Sequence, residues 1–348
     1  MAELALIYDP RFLEHETGYH PERPERLLWA LEKVTQLELN RHCQLLAPRP
    51  ATEEELVFIH DRVYINQVKA FASAGGGYLS LDTPGSARTY EAALLSVGAV
   101  LRGIEVTLTG QFPAAFCLVR PPGHHAQRSV GKGFCFFNNV AIGARWAQQR
   151  YRCQRVAIVD LDVHHGDGTQ EAFYSDPSVL YASIHQYPFY PYTGAKEEMG
   201  AGAGAGYTVN IPLPHGGSDE EYLLAMERVI LPVTRSFRPQ LILVSAGFDA
   251  HFADQLGDMN VSATGFCRLT GELKALSELS RVPLVLALEG GYSQQGMSWG
   301  TAATVAALVG APWPGEASAS QEPFAPERTG VRPEVRVLLE SIADSWPI

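Results

Sequence analysis

Short apolar runs alternate with longer amphipathic stretches along most of the chain. Six short runs rich in β-branched residues predict strands at residues 4–8, 114–119, 156–161, 179–184, 241–245 and 284–288. Apolar positions at helical spacing predict helices at residues 25–37, 53–72, 90–108, 138–150, 219–235, 264–279 and 297–308. Several of the strands are apolar almost throughout, which is typical of strands covered on both faces. The pattern therefore predicts an α/β fold with a central parallel sheet and helices on both sides.

The organisation of the chain favours one domain. No shift in composition divides it before residue 310, so we expect a single domain over residues 1–348. Residues 311–328 are rich in Pro, Ser, Ala and Glu and predict a mobile surface segment, followed by a C-terminal helix over residues 333–343. Gly and Ala alternate over residues 200–206, just before a predicted strand at 207–211. This run predicts a flexible loop, because a nucleotide-binding glycine loop lies between a strand and a helix.

Composition and charge narrow the classes of partner. The chain has 27 basic and 38 acidic residues, a net charge of −11, and 46% hydrophobic residues. The acidic excess argues against direct nucleic-acid binding and suits a neutral or cationic ligand. Five widely spaced cysteines argue against a disulfide framework and favour a reducing compartment, the cytoplasm. No apolar run approaches the length of a membrane span, and the N-terminus lacks the basic segment of a signal peptide.

Acidic residues and histidines concentrate at the carboxyl ends of the predicted strands, where open α/β sheets bind their ligands. Asp160, Asp162 and His164 alternate, as residues on one face of an extended chain do. Two carboxylates and an imidazole delivered to one point make physical sense when a cation lies there. Asp249, at the end of another strand, offers a third ligand beside Asp162 and His164. Two carboxylates and one imidazole match a catalytic zinc site with one position open for water.

Two further clusters carry groups suited to acid–base chemistry. His124 and His125 follow a predicted strand and a Pro-Pro-Gly turn. Because adjacent side chains project in different directions, each histidine needs its own partner, and Asp160 and Asp167 are two available acids. Pairing with a carboxylate adjusts the pKa of an imidazole to a value near neutral pH. Tyr292 follows two glycines at another strand end, and a tyrosine hydroxyl beside a metal stabilises an oxyanion.

Taken together, these motifs resemble the zinc-dependent histone deacetylase family, which includes bacterial histone deacetylase-like amidohydrolases and acetylpolyamine amidohydrolases. In chain order the motifs are RPPGHHA, GFCFFNN, DLDVHHGDGT, SAGFDAH and LEGGY. SAGFD and LEGGY are similar to the class II branch. The resemblance implies a single arginase-like α/β domain around an eight-stranded parallel sheet. It also implies a hydrolase that removes acetyl groups from N-acetyl-lysine in peptides or proteins, or from acetylated polyamines.

The resemblance also implies the parts that single residues take in hydrolysis. It gives one Zn²⁺ per chain, with the ligands Asp162, His164 and Asp249. His125 is then the general base and later the acid, hydrogen-bonded to Asp167. His124 is its electrostatic partner, hydrogen-bonded to Asp160, and Tyr292 polarises the substrate carbonyl.

The resemblance extends to the substrate tunnel and to structural potassium. The tunnel and its rim are expected to involve Gly133, Phe134, Tyr190, Leu256 and Asp82. One potassium site is expected near Asp160, Asp162, His164, Ser183 and Ile184. A second is expected near Phe173, Asp176, Val179 and Tyr207, and most of these potassium contacts are expected from backbone carbonyls.

Three alternatives are weighed against this interpretation. Arginase-like ureohydrolases share the fold but hold two manganese ions, and here Gly166 and His251 replace the carboxylates of the second metal. A binding module without turnover is expected to lack a ligand, a histidine or the tyrosine, and this chain has them all. Leu256 lies where acetylpolyamine specialists carry an acid, although the acidic net charge keeps polyamines open as substrates. The oligomeric state and the preferred acyl length stay open.

Overall fold

Eight parallel strands form one sheet in the computed structural model, which describes residues 3–313, 322–323 and 330–346. In sheet order they are β2 (Cys43–Leu46), β1 (Leu4–Ile7), β5 (Ala114–Cys117), β10 (Leu284–Leu288), β9 (Leu241–Ala246), β6 (Val156–Asp160), β7 (Val179–Gln186) and β8 (Thr208–Leu213). Every neighbouring pair in this sheet is parallel. The predicted fold class, a single α/β domain around a parallel sheet, is confirmed.

The central strands of the sheet lie in the middle of the hydrophobic core. β5, β10, β9 and β6 are buried at every residue, so both faces of the sheet are covered. One group of covering helices consists of α4 (Thr89–Leu108) and α5 (Asn139–Tyr151), which pack on each other and on the sheet. A second group consists of α1 (Glu25–Gln36), α9 (Ala263–Ser280) and α10 (Gln294–Val309). Each fully buried Leu, Ile or Val stabilises the fold by about 1.5–3 kcal/mol.

Shorter elements complete the described chain. The remaining helices are α2 (Glu53–Leu56), α3 (Arg62–Ser73), α6 (Asp167–Phe173), α7 (Asp219–Ala225), α8 (Leu231–Phe237) and α11 (Pro333–Asp344). Short 3₁₀ helices lie at Pro10–Glu14, Leu39–His42 and Gly202–Gly204. An antiparallel hairpin of β3 (Gly76–Ser80) and β4 (Thr83–Ser86) stands apart from the main sheet. The sequence pattern missed this glycine-rich hairpin and the edge strand β2, because neither carries a long apolar run.

The prediction of one helix over residues 53–72 was wrong. The chain leaves the helical path between α2 and α3, where His60 Nε2 accepts a hydrogen bond from the Asn138 backbone N–H at 2.9 Å. The Asp61 N–H donates to the Arg128 carbonyl at 3.0 Å. These tertiary hydrogen bonds hold a turn that ends with Asp61 in an extended conformation, and helical periodicity alone does not reveal this turn.

The prediction of one continuous α-helix over residues 219–235 also needs correction. A π-helical turn at Met226–Ile230 separates α7 from α8. Pro232 lies in the first turn of α8 and has no N–H for an α-helical hydrogen bond. The wider π turn accommodates this missing donor.

The C-terminal part of the chain is described in pieces. The predicted mobile segment over residues 311–328 lies outside the described residues, apart from 311–313 and 322–323. Beyond it, Arg332 Nε and Nη2 donate to the two carboxylate oxygens of Glu221, each at 2.7 Å, and this pair ties the start of α11 to α7. The domain bounds of residues 1–348 stay a prediction.

Disulfides and membrane-spanning helices can be examined in the part of the chain that the structure describes. No disulfide joins the five cysteines, all of which lie within the described ranges. None of the described helices has the length and hydropathy that crossing a membrane requires.

We expect Gly98→Ala to destabilise the fold, because a Cβ at this position of α4 would lie 1.7 Å from the Arg49 carbonyl oxygen. Such overpacking lowers the free energy of unfolding by about 1–3 kcal/mol. The matched control is Gly271→Ala in α9, where nothing lies within 4 Å of the added carbon. That change is expected to raise stability by about 0.5–1 kcal/mol. Urea unfolding measures both, and similar unfolding curves for the two variants would contradict the packing.

Candidate functional site

Four adjacent strands carry the predicted chemistry at their carboxyl ends. The residues lie beyond β5 (His124 and His125), β10 (Tyr292), β9 (Asp249) and β6 (Asp162 and His164). These strands are neighbours in the sheet although the residues are up to 168 positions apart in sequence. Because the strands are parallel, their carboxyl ends meet at one edge, where α/β sheets bind ligands.

Asp162, His164 and Asp249 converge on one point. Each offers one ligand atom, and the three atoms lie within 4.8 Å of one another. His164 Nδ1 lies 3.1 Å from Asp162 Oδ1 and 3.2 Å from Asp249 Oδ2. The remaining oxygens are held by backbone donors: Asp162 Oδ2 accepts from Gly290 N–H at 2.8 Å, and Asp249 Oδ1 accepts from Val163 N–H at 2.9 Å. These bonds fix both carboxylates with one oxygen toward the common point.

The electrostatics of this cluster call for a cation. Both carboxylates are 0% exposed, and Asp249 Oδ2 has no hydrogen-bond partner. Burial, and then the charge of Asp162, raise the pKa of Asp249 to about 7. Burial alone lowers the pKa of His164, but Asp162 and Asp249 outweigh it and raise that pKa to about 10. A metal ion in the cluster would offset the repulsion between two carboxylates that the protein has removed from water.

Glycines keep room around these carboxylates. A Cβ on Gly290 would lie 2.0 Å from Asp249 Oδ2, and one on Gly247 would lie 2.2 Å from Asp162 Oδ2. Side chains there would fill the space that a bound ion and its ligands need. A donor set of one imidazole and two carboxylates, with no thiolate, fits Zn²⁺.

Asp160 does not join the cluster, so the prediction of one shared strand face was wrong. β6 ends at Asp160, and Asp162 and His164 lie in the turn beyond it. Asp160 Oδ2 instead lies 3.1 Å from His124 Nδ1 and accepts a hydrogen bond from the Tyr181 hydroxyl at 3.2 Å. The convergence of the three metal-ligand candidates arises from this turn and from β9.

The adjacent histidines are buried and differ in charge. His125 Nδ1 lies 2.8 Å from Asp167 Oδ1, and the centroids of the His124 and His125 rings are 4.0 Å apart. Burial, and then the charge of His124, lower the pKa of His125 to about 4. Burial alone lowers the pKa of His124, but Asp162 and Asp160 outweigh it and hold that pKa well above its usual value. One imidazole is therefore neutral beside one that is charged, an arrangement that separates base and acid roles.

Aromatic residues enclose the approach to the cluster. The Tyr190 ring lies 5.2 Å from the His125 ring, and the Phe134 ring lies 5.5 Å from the Tyr292 ring, both centroid to centroid. Phe134 has φ +69°, a left-handed conformation that costs a non-glycine residue free energy. Its N–H donates to Thr83 Oγ1 at 3.2 Å, which holds it there.

Asp82 joins the two walls of this approach. Its Oδ1 accepts from the Gly133 N–H at 3.1 Å, and its Oδ2 accepts from the Tyr190 hydroxyl at 3.0 Å. Asp82 lies on the turn between β3 and β4, the hairpin that the sequence pattern missed. Leu256 and Tyr292 line a cavity of about 730 Å³, which is also lined by residues 16–21 and 23–25.

Several of the residues expected around the first potassium site lie at the ends of neighbouring strands, close to the metal-ligand candidates. Asp160 on β6 pairs in register with Ser183 on β7 and with Ser245 on β9. Ser183 Oγ lies 2.9 Å from His185 Nδ1, and the next residue, Ile184, is buried. Ser245 Oγ is buried and has no hydrogen-bond partner.

The second expected potassium site lies around the end of α6. Asp176 N–H donates to the Phe173 carbonyl at 3.0 Å, and the Asp176 carboxylate pairs with Arg145 at 2.5 Å. Val179 begins β7, and the Tyr207 carbonyl accepts a hydrogen bond from that strand. Both potassium assignments stay predictions.

Sequence reasoning missed two acids that support the site. Glu289 Oε2 accepts from the backbone N–H of Gly123 and of His124 at 2.6 and 3.1 Å, and burial raises the pKa of Glu289 to about 7. Asp254 Oδ2 accepts from Tyr292 N–H at 2.6 Å, and its Oδ1 accepts from Leu256 N–H at 3.0 Å. An acid directly after the apolar strand β10 was a signal for Glu289, whereas Asp254 lies in a loop without any.

Arg26 was also missed, since a charged residue in an amphipathic helix is usually solvated. Its side chain is 0% exposed. Arg26 Nε donates to the Gly291 carbonyl at 2.6 Å, and the guanidinium lies 4.8 Å from the centroid of the Tyr292 ring. Arg26 therefore fixes both the ring of Tyr292 and the backbone before it.

Comparisons with known proteins agree on one family. The histone deacetylase domain family matches residues 20–308. A probable deacetylase of Archaeoglobus fulgidus is 39% identical over 310 residues, covering 88% of this chain and 86% of that protein. The human polyamine deacetylase HDAC10 is 40% identical over 327 residues, covering 89% of this chain and 48% of HDAC10. The crystal structure of the HDA15 HD domain matches with a TM-score of 0.87 at 34% identity, covering 99% of this chain and 94% of that one.

We expect His60, which anchors the loop leading to the site, to weaken the fold as the pH falls from about 6.5 to 4. Burial lowers the pKa of His60 from 6.5 to about 4. The neutral ring accepts from Asn138 N–H, so protonation at Nε2 would break that bond. The contribution is complete above the unfolded pKa and is lost as the pH falls through the folded pKa, by about 3 kcal/mol in all.

Urea unfolding across this pH range checks the expectation. His60→Gln should lose less stability than the parent protein between pH 6.5 and 4. The control is His215→Gln, whose side chain is 77% exposed and which should follow the parent protein. Parallel pH dependence of His60→Gln and the parent protein would contradict the assignment.

Proposed function

The chain belongs to the histone deacetylase family, as its motifs predicted, and we propose that it is a zinc-dependent deacetylase acting on N-acetyl-lysine in peptides or proteins. One observation carries the proposal. A buried cluster of two carboxylates and one imidazole, Asp162, His164 and Asp249, lies beside the neutral imidazole of His125. The proposal includes a cytoplasmic location and structural potassium at the two expected sites.

The metal-ligand part of the proposal assigns one Zn²⁺ to Asp162, His164 and Asp249. When bound, Zn²⁺ would polarise an amide carbonyl and lower the pKa of a water molecule to near neutrality. Two carboxylates donate more charge than three histidines do, so a separate base is needed. The His125 ring lies 5.9 Å from the His164 ring, centroid to centroid, within reach of that task.

His125 is the proposed base and acid. Its Nδ1–H donates to Asp167 Oδ1 at 2.8 Å, which leaves Nε2 to accept a proton from the attacking water. Burial and the positive charge of His124 keep His125 neutral at pH 7, the state that a base requires. The proton taken up at Nε2 then passes to the leaving amine of lysine.

Tyr292 is the proposed donor to the carbonyl oxygen. Burial raises the pKa of its hydroxyl well above the usual value, so the group keeps its proton. Arg26 and Asp254 hold its ring and its backbone N–H in place. A fixed donor of this kind stabilises the oxyanion as negative charge develops.

A single metal ion is favoured over the two of ureohydrolases. Asp162, His164 and Asp249 are the one set of three such side chains with metal-ligand spacing among the residues that the structure describes. His251 Nε2 is engaged elsewhere, 2.5 Å from Glu322 Oε1 in the C-terminal part of the chain. Gly166 carries no ligand atom.

The lining of the approach favours acetyl-lysine as substrate. Phe134 and Tyr190 provide apolar ring surface for the methylene stem of lysine, and Leu256 adds an apolar side chain near the cavity beside Tyr292. Acetylated polyamines are the alternative substrates, because a relative with 40% identity is named a polyamine deacetylase. The acidic net charge of this chain also suits a cationic amine.

We expect the purified protein to release acetate from an acetyl-lysine peptide with a higher kcat/KM than from acetylspermidine. A chelator should abolish release, and one equivalent of Zn²⁺ per chain should restore it. Acetate assays and elemental analysis measure these results.

Each alternative gives its own result. Release that survives metal removal contradicts the zinc assignment, and two manganese ions per chain contradict a single-metal site. A higher kcat/KM for acetylspermidine moves the substrate class to polyamines. No release from either substrate contradicts the deacetylase proposal.

We expect Tyr292→Phe to lower kcat roughly 100-fold or more, because the oxyanion loses a fixed hydrogen-bond donor. Zinc content should not change, since Tyr292 is not a proposed ligand. The matched control is Tyr78→Phe, at a residue that is 70% exposed, which should keep the parent rate. A Tyr292→Phe variant with full kcat would remove Tyr292 from the mechanism.

A further inference from the structure

A lysine beside the site has no part in the proposed chemistry. Lys132 Nζ forms a close ion pair with Asp167 Oδ2, while Asp167 Oδ1 lies 2.8 Å from His125 Nδ1. The Asp167 side chain is 5% exposed and that of Lys132 is 27% exposed. One carboxylate therefore bridges an ammonium group and the imidazole that is the proposed base.

The backbone around Lys132 brings its side chain to this position. Cys135 N–H donates to the Lys132 carbonyl at 3.0 Å, which closes a tight turn. Gly133 and Phe134 at its centre have φ +56° and +69°, the signs of a type I′ turn. A Cβ on Gly133 would lie 2.3 Å from His125 Cδ2, so the turn packs directly on the His125 ring. Lys132 thus joins the tunnel wall to the base and its partner.

Asp167 depends on this ion pair. The other side chain near its Oδ2 is the amide of Gln127, whose Nε2 donates over a long 3.3 Å. Burial alone raises the pKa of Asp167, but His125 and then Lys132 outweigh it and lower that pKa to about 2. Without the ammonium, the buried Asp167 carboxylate keeps one strong partner, the His125 imidazole. Its Oδ2 then no longer fixes the orientation of the carboxylate.

We propose that Lys132 is a positioning residue for the reaction, holding Asp167 by Oδ2 so that Oδ1 stays on His125 Nδ1. The inference rests on the proposed function, because it takes His125 as the base. The positive charge of Lys132 is the essential property. The ion pair fixes the Asp167 carboxylate, whereas the tight turn only directs the lysine side chain toward it.

Kinetics of two Lys132 variants test the inference. Lys132→Met keeps the length of the side chain and loses the charge, and it should lower kcat on an acetyl-lysine peptide by about 10-fold or more. KM and zinc content should stay at parent values, because the Lys132 ammonium pairs with Asp167, which is neither a proposed zinc ligand nor a proposed substrate contact. Lys132→Arg should restore most of kcat. The matched control is Lys69→Met, which breaks the 2.7 Å ion pair of Lys69 with Glu53, outside the site, and should leave kcat unchanged.

A second measurement reports on His125 without catalysis. In protein labelled with ¹⁵N-histidine, the Nδ1–H signal of His125 should exchange with water faster in Lys132→Met than in the parent or in Lys132→Arg. This measurement separates two failures: parent protein that releases no acetate contradicts the proposed function, whereas the histidine signal still decides the role of Lys132.

Three other results would overturn the proposed role of Lys132. Parent kcat in Lys132→Met overturns the inference, whether or not the histidine signal changes. A lower kcat with an unchanged histidine signal also overturns it, because Lys132 would then act by another route. An unchanged signal in protein without activity has the same meaning.

Discussion

Two aspartates held side by side in the interior impose the constraint on which the rest of the site depends. Asp162 and Asp249 are both fully buried, and removing a pair of like charges from water costs several kcal/mol. The structure offsets this cost with backbone donors from Gly290 and Val163 and with the imidazole of His164. One carboxylate oxygen of Asp249 still has no hydrogen-bond partner. The divalent cation that we propose would complete this cluster.

The surrounding histidines follow from the same charge distribution. Asp162 and Asp160 outweigh burial and raise the pKa of His124, whereas burial, and then the charge of His124, lower the pKa of His125. The buried carboxylates thus set the charge of one imidazole directly and of the other indirectly. Asp167, which fixes the neutral ring, is itself fixed by Lys132, so the chain of positioning contacts reaches the protein surface.

The walls of the site are held by elements outside the central sheet. Asp82, on the β3–β4 hairpin, connects Gly133 with Tyr190, and Asp254 connects Leu256 with Tyr292. These hydrogen bonds place apolar side chains around the approach to the metal-ligand candidates. The polar groups of the same residues are hydrogen-bonded within the protein. An entrance lined by aromatic and apolar side chains suits a substrate with an apolar stem and a polar end.

The sequence by itself determined the parallel α/β sheet and the identity of the metal-ligand candidates. Strands that are apolar throughout are typical of a parallel sheet with both faces covered. Burying the acids that directly follow such strands costs free energy, which indicates a functional site. Only the tertiary structure decided that β10 lies between β5 and β9, because strand order depends on packing between distant segments. Tertiary contacts also decided that α2 ends at Leu56, that Asp160 turns to His124, and that Lys132 meets Asp167. The energy of each contact depends on a partner that local periodicity does not contain.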